Sequence, residues 1–179
     1  MVLPSLSDVP GADQPIPLPQ AVARYARETA WVPHLLAGRT MDDVGPTRFD
    51  RDLLGDDPQA AVGRHSAEAC AAARDVSDPD AVVHGPEGDV PAARYLRRLT
   101  VERCFLAHDI AIHLGSRACP LTEELARGLC ELTQAEAASW RARGIFRESL
   151  PLPADVSWRD RFLLCAGRDP HPLDELHHC

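Results

Sequence analysis

Hydrophobic and polar residues recur with a helical period along most of this chain, most clearly from Pro91 to Gly115, PAARYLRRLTVERCFLAHDIAIHLG. At about 100° per residue, Tyr95, Asp109 and His113 fall within roughly 20° of Glu102. Leu99, Leu106 and Ile110 flank this polar line on one side, and Phe105 and Ile112 flank it on the other. The line therefore runs down the middle of an apolar arc. Arg97, Thr100, Cys104 and His108 lie on the far side, the expected solvent face.

Three further helices are predicted. One runs from Gln20 to about Gly38, with Arg24, Glu28, Trp31 and Leu35 on one face, Val32 and Leu36 beside them, and Pro33 expected to kink or break it. A loop over 39–57 ends at Asp57-Pro58, a cap followed by proline in the first turn, and opens a helix to about Arg74. That helix has a narrow face of Ala61, Val62, Ala69 and Ala72, an expected exposed Arg64–Glu68 pair, and His65 amid the small residues. Thr122 caps the last helix, expected to reach about Gly144 with Leu125, Leu129 and Leu132 at helical spacing. Residues 75–90 read as a loop with at most a short strand or hairpin. A short amphipathic piece follows around Trp158 to Ala166. The fold class is all-α, a bundle of four main helices.

Met1 to Pro19 holds five prolines and reads as an extended arm. The expected organisation is thus an arm over 1–19, a helical domain over 20–170 and a tail over 171–179, of a size that builds a core without metal or disulfide staples. A net charge of −8 without a Lys/Arg cluster argues against nucleic acid or an anionic membrane surface as the main partner. No apolar stretch suits a signal peptide or a membrane span, so a cytoplasmic location is expected. The six cysteines form no CxxC or similar ligand spacing and read as reduced thiols. No phosphate loop, nucleophile elbow, HExxH or internal repeat occurs.

Burying the polar line of the long helix costs several kcal/mol for an unpaired ion. Something must face Glu102, and two readings stay open. One is a buried salt bridge or hydrogen-bond network; the other is a pocket in which carboxylates near a histidine do acid/base work. In the second, Glu102 or Asp109 is the general base, His113 or His65 the proton-transfer partner and Tyr95 a donor, while Arg24 and Trp31 bind substrate. A lone His65 on that small-residue face is more often a satisfied core residue than a catalyst. His177 and His178, in the tail, read as solvated.

The chain resembles the DinB-like bundles, in the branch containing mycothiol-dependent maleylpyruvate isomerase and its actinobacterial relatives. The resemblance rests on LLAGR at Leu35 to Arg39, GDDPQAA at Gly55 to Ala61, GDVPA at Gly88 to Ala92, FLAHDIAIHLG at Phe105 to Gly115 and LLCAGRDP at Leu163 to Pro170. Members of that family usually hold zinc or nickel through an early-helix His and a Glu and His four residues apart on the long later helix. The resemblance places the Glu at Glu102 and the following Asp at Asp109, but Leu106 stands at the second His and Arg24 at the early one. It therefore implies a metal-independent enzyme without a cofactor, with Arg24 replacing the metal's charge opposite Glu102. That enzyme would isomerise, cyclise or eliminate on a small carbonyl or carboxylate compound, in specialised metabolism. One alternative is a zinc- or nickel- and mycothiol-dependent isomerase or S-transferase; a second is a non-catalytic small-molecule or partner-binding bundle. The family's additional first helix is absent from the arm, which implies an open cleft or a homodimer.

Overall fold

A computed structural model describes residues 2–4, 15–86, 88–113 and 121–171, with the backbone alone for 2–4, 15–16 and 109–113. Most of these residues are helical. Short strands β1 (Val2–Pro4) and β2 (Pro15–Pro17) form a two-stranded sheet. The chain divides into two compact units, Pro17–Leu99, and Met1–Ile16 with Thr100–Cys179. The division falls inside one helix. No described helix is long and apolar enough to cross a membrane.

The Pro17–Leu99 unit is built on α1 (Leu18–Leu36) and α3 (Pro58–Arg74). α1 begins two residues before Gln20 because Pro19, in its first turn, needs no amide partner there. Pro33 does not break it: so near the end, the missing N–H costs one ladder bond and the helix continues to Leu36. α1 buries Ala21, Ala26, Ala30, Val32 and Leu35. Across from it, Asp57 caps α3 by accepting from the Ala60 amide, and α3 buries Ala61 and Ala69, small residues that suit close helix approach. The Tyr25 and Ser66 hydroxyls are 2.9 Å apart, and Leu35 and Leu36 cluster with Val76, just beyond α3. The two helices therefore run in the same direction. The connection between them must return along α1, as Arg27–Asp50 at 2.9 Å and the Trp31–Phe49 ring contact mark. It contains α2 (Met41–Val44), opened by a Thr40/Asp43 capping box.

A hairpin of β3 (Val82–Gly85) and β4 (Gly88–Pro91) follows. Its antiparallel register sets Val83 against Val90 and His84 against Asp89. Val83, 1% exposed, forms a small core with Leu35 and Ala92. Alternation turns His84 to the opposite face.

α4 (Ala92–His113) is the long helix expected from the pattern. Its orientation differs from expectation. Val101, Phe105 and His108 are buried, centred roughly 90° from the Glu102 line. Leu106 is buried on the other flank, Glu102 between is half-buried, and Cys104 packs partly against the core. The far side thus supplies a core position at His108 rather than a solvent face. Tertiary packing, not the hydrophobicity of single residues, set the rotation.

The remaining helices are α5 (Glu123–Thr133), α6 (Ala137–Ala142) and α7 (Trp158–Cys165). The single helix expected over 122–144 is interrupted after Thr133, whose hydroxyl donates back to the Leu129 carbonyl at 2.6 Å. The Glu136 carboxylate accepts from the Trp140 indole at 3.0 Å and fixes the start of α6. Phe105 stacks on Phe162 with centroids 5.4 Å apart, and Phe146 meets both rings and Trp140 edge-on. Around them close Val101, Leu129 and Leu163.

Candidate functional site

The clearest gathering of chemically able side chains lies at the C-terminal end of α1. Trp31 and His34, one turn apart, meet Phe49 from the returning connection: ring centroids are 4.9 Å apart for Trp31–Phe49 and 5.6 Å for His34–Phe49. Phe49 is 8% exposed, so it anchors the connection here. The Arg48 guanidinium sits 5.8 Å from the Phe49 centroid. Arg39 Nη1 lies 3.4 Å from His34 Nδ1. A guanidinium only donates, so Nδ1 is the acceptor and the ring proton resides on Nε2.

Partial burial, then the charges of Arg39 and Arg48, hold His34 below its ordinary pKa, against a weaker opposing effect of Glu68. The imidazole is therefore neutral at physiological pH. Among the described residues neither Arg39 nor Arg48 has a carboxylate in ion-pair contact. Two guanidinium groups flanking a neutral imidazole on an aromatic bed can receive an anion and accept a proton.

Beside this site, the Ala-lined α1–α3 seam also carries a few polar groups. Thr29 is 3% exposed and its hydroxyl oxygen has no hydrogen-bond partner among the described residues, next to the Tyr25–Ser66 contact one turn earlier on α1. His65 Nδ1 is buried 3.6 Å from Glu68 Oε2, too far for a hydrogen bond. Glu68 thus turns toward His65, and the expected Arg64–Glu68 pair is absent among the described ion pairs. On the hairpin, His84 Nδ1 donates to Asp89 Oδ1 at 2.8 Å, which leaves Nε2 as the imidazole's acceptor. Asp43 lies below its ordinary pKa, chiefly through the hydrogen bonds from Thr40, with smaller effects of His84 and Arg39.

Of the residues singled out in the sequence, Arg24, Trp31, His65 and Tyr95 belong to this unit. Arg24 pairs with Glu28 at 2.6 Å on α1. Trp31 and Tyr95 both pack around Leu35, Val83 and Ala92. Glu102 belongs to the other unit and is half-buried in α4. Asp109 and His113 continue that helix, but their side chains lie outside the described residues, as do His177 and His178. His34, Arg39, Arg48 and Phe49 were not singled out. The available signal was the spacing of Trp31 and His34 at i and i+3, followed by two arginines and a phenylalanine in the connection.

Among the described residues no group of three or more His, Cys, Asp or Glu converges to hold a metal ion. The donor set for the zinc or nickel alternative is thus not found there. Cys70, Cys104, Cys130 and Cys165 are free thiols. Comparison with protein-family models, curated proteins and solved structures finds no match.

Proposed function

We propose that this chain is a metal-independent acid/base enzyme on a DinB-like four-helix scaffold, acting on a small carboxylate that bears a carbonyl, by isomerisation, cyclisation or elimination. The carrying observation is the neutral His34 flanked by Arg39 and Arg48, neither of which has a carboxylate in ion-pair contact among the described residues. In this reading the two guanidinium groups take the substrate carboxylate, and Trp31 and Phe49 pack against its carbon skeleton. Arg39 then leaves His34 Nδ1 for the incoming anion. The freed Nδ1 lone pair accepts the proton from the carbon next to the carbonyl, and the arginines stabilise the enolate that forms. The imidazolium returns that proton to a different atom, completing the rearrangement. A homodimer belongs to the same reading, with a second subunit in the place of the wall that the DinB-like family's first helix would supply.

The test is proton exchange. Small 2-oxo and unsaturated carboxylates are incubated with the full chain in D2O, and loss of the α-proton signal is followed by NMR. His34→Gln is expected to slow exchange by about 10²-fold or more, and Arg39→Leu chiefly to raise KM. Exchange that survives His34→Gln unchanged would refute the assignment. Because the lowered pKa keeps His34 unprotonated, the acid limb of the rate profile is expected below pH 6.5.

A further inference from the structure

The unit containing Thr100–Cys179 holds a second histidine with unusual surroundings. His108, on α4, is 2% exposed. Its Nε2 lies 3.2 Å from the Asp169 carbonyl oxygen, so Nε2 carries the proton and donates. Nδ1 is then a lone pair, buried and without a hydrogen-bond partner among the described residues. One turn earlier on the same face, Phe105 carries the Arg168 guanidinium 3.7 Å from its ring centroid. The segment after α7 is thus tied to α4 at adjacent points, through Arg168 on Phe105 and Asp169 on His108.

We propose that His108 is a proton-operated latch, which holds residues 167–171 on α4 while neutral and releases them when protonated. The second proton must go on Nδ1, where no acceptor awaits it among the described residues, so protonation creates a buried cationic donor with no hydrogen bond there. The charged groups around it add to the effect. The hydrogen bond to the Asp169 carbonyl favours the imidazolium and is the strongest opposing influence; Arg168, from the closing segment, and Arg159, from α7, both disfavour it, and the Asp169 carboxylate favours it more weakly than either arginine disfavours it. Burial is the largest cause, and together these hold His108 below its ordinary value. Releasing the segment lets water reach Nδ1 and separates Arg168 from the ring. His171, which contacts Asp160 at 3.3 Å, lies on the same segment and serves as the control.

The deciding experiment is a pH titration of the full chain by NMR from pH 7.5 to 4.5, following the His108 imidazole and the exchange protection of the Arg168 amide. That amide donates to the Leu163 carbonyl at 2.8 Å and reports on the segment directly. Arg168 protection, corrected for intrinsic exchange, is expected to fall with His108 protonation by up to about tenfold per pH unit. His108→Gln keeps a donor near Nε2 but cannot titrate, so its Arg168 protection should be independent of pH. His171→Gln should behave as wild type. The latch is overturned if His108 titrates without change at Arg168, or if His108→Gln retains the acid loss, or if His171→Gln abolishes it. Should His108→Gln not fold, the coupled titration in wild type decides alone.

Discussion

Gly167 shows how one position constrains the turn after α7. Its φ of +73° lies in the left-handed region, and a Cβ there would run into the Glu148 carbonyl oxygen and the Arg147 Cβ. The left-handed conformation alone costs a non-glycine residue roughly 1–2 kcal/mol. Because the opposing atoms are backbone and the stem of a side chain, the clash is not relieved by a rotamer change. Gly167→Ala is therefore expected to lower stability by more than about 2 kcal/mol, read from urea midpoints. A second residue-scale expectation concerns thiols. Burial, then the neighbouring Cys165, pushes the Cys130 thiol up to about 11, whereas Cys70 is exposed. At pH 8, iodoacetamide should label Cys70 well before Cys130, as peptide mass mapping would show. The reduced state of the four described cysteines was legible from their spacing. The burial of His108 was not, because a histidine's hydropathy does not reveal which side of a helix its neighbours will cover.

At the scale of elements, the ends were easier to read than the middles. Asp57 and Thr122 cap their helices as expected from sequence, because N-capping is a local arrangement of three or four residues. The break after Thr133 was missed: a back-bonded threonine and the Glu136–Trp140 contact override an apolar spacing that would suit a longer helix. The start of α7 uses a distant residue as well as a local one. Ser157 accepts from the Asp160 amide, while the Glu123 carboxylate, at the first turn of α5, accepts from the Trp158 and Arg159 amides at 2.8 and 3.3 Å. An anion there also opposes the positive end of the helix dipole. Glu123→Ala should cost about 1 kcal/mol, and Glu123→Gln less, since the amide oxygen still accepts. Thermal unfolding of the two variants beside wild type distinguishes these magnitudes.

For the molecule as a whole, acid sensitivity follows from histidines held neutral. His34 and His108 both lie below 6.5 in the folded protein, so between their folded values and 6.5 the unfolded chain binds more protons. Stability is thus fully present above about pH 6.5 and falls as pH drops toward the folded values. Asp43, itself lowered from 3.8, adds stability above that value which is lost as pH falls through its folded one. Urea midpoints measured from pH 8 to 3 should show the first decline, and the His34→Gln/His108→Gln double variant should remove much of it. The mostly helical character and the extent of α4 were legible because periodicity is a property of the string. The His34 site was not, since Arg48 and Phe49 reach α1 only through the path of a long connection.

That path has a consequence for how such a protein changes over time. Two helices running in the same direction oblige the intervening chain to travel back along them, and here the returning stretch carries Arg39, Arg48 and Phe49 past a histidine on the first helix. The helices supply a fixed bench, and the return supplies most of the tools laid on it. Rewriting the stretch between Gly38 and Pro58 would alter charge and shape around His34 while leaving the Ala-lined seam intact. New chemistry on this bench would then arise by exchange of one segment, without the helices having to be rebuilt.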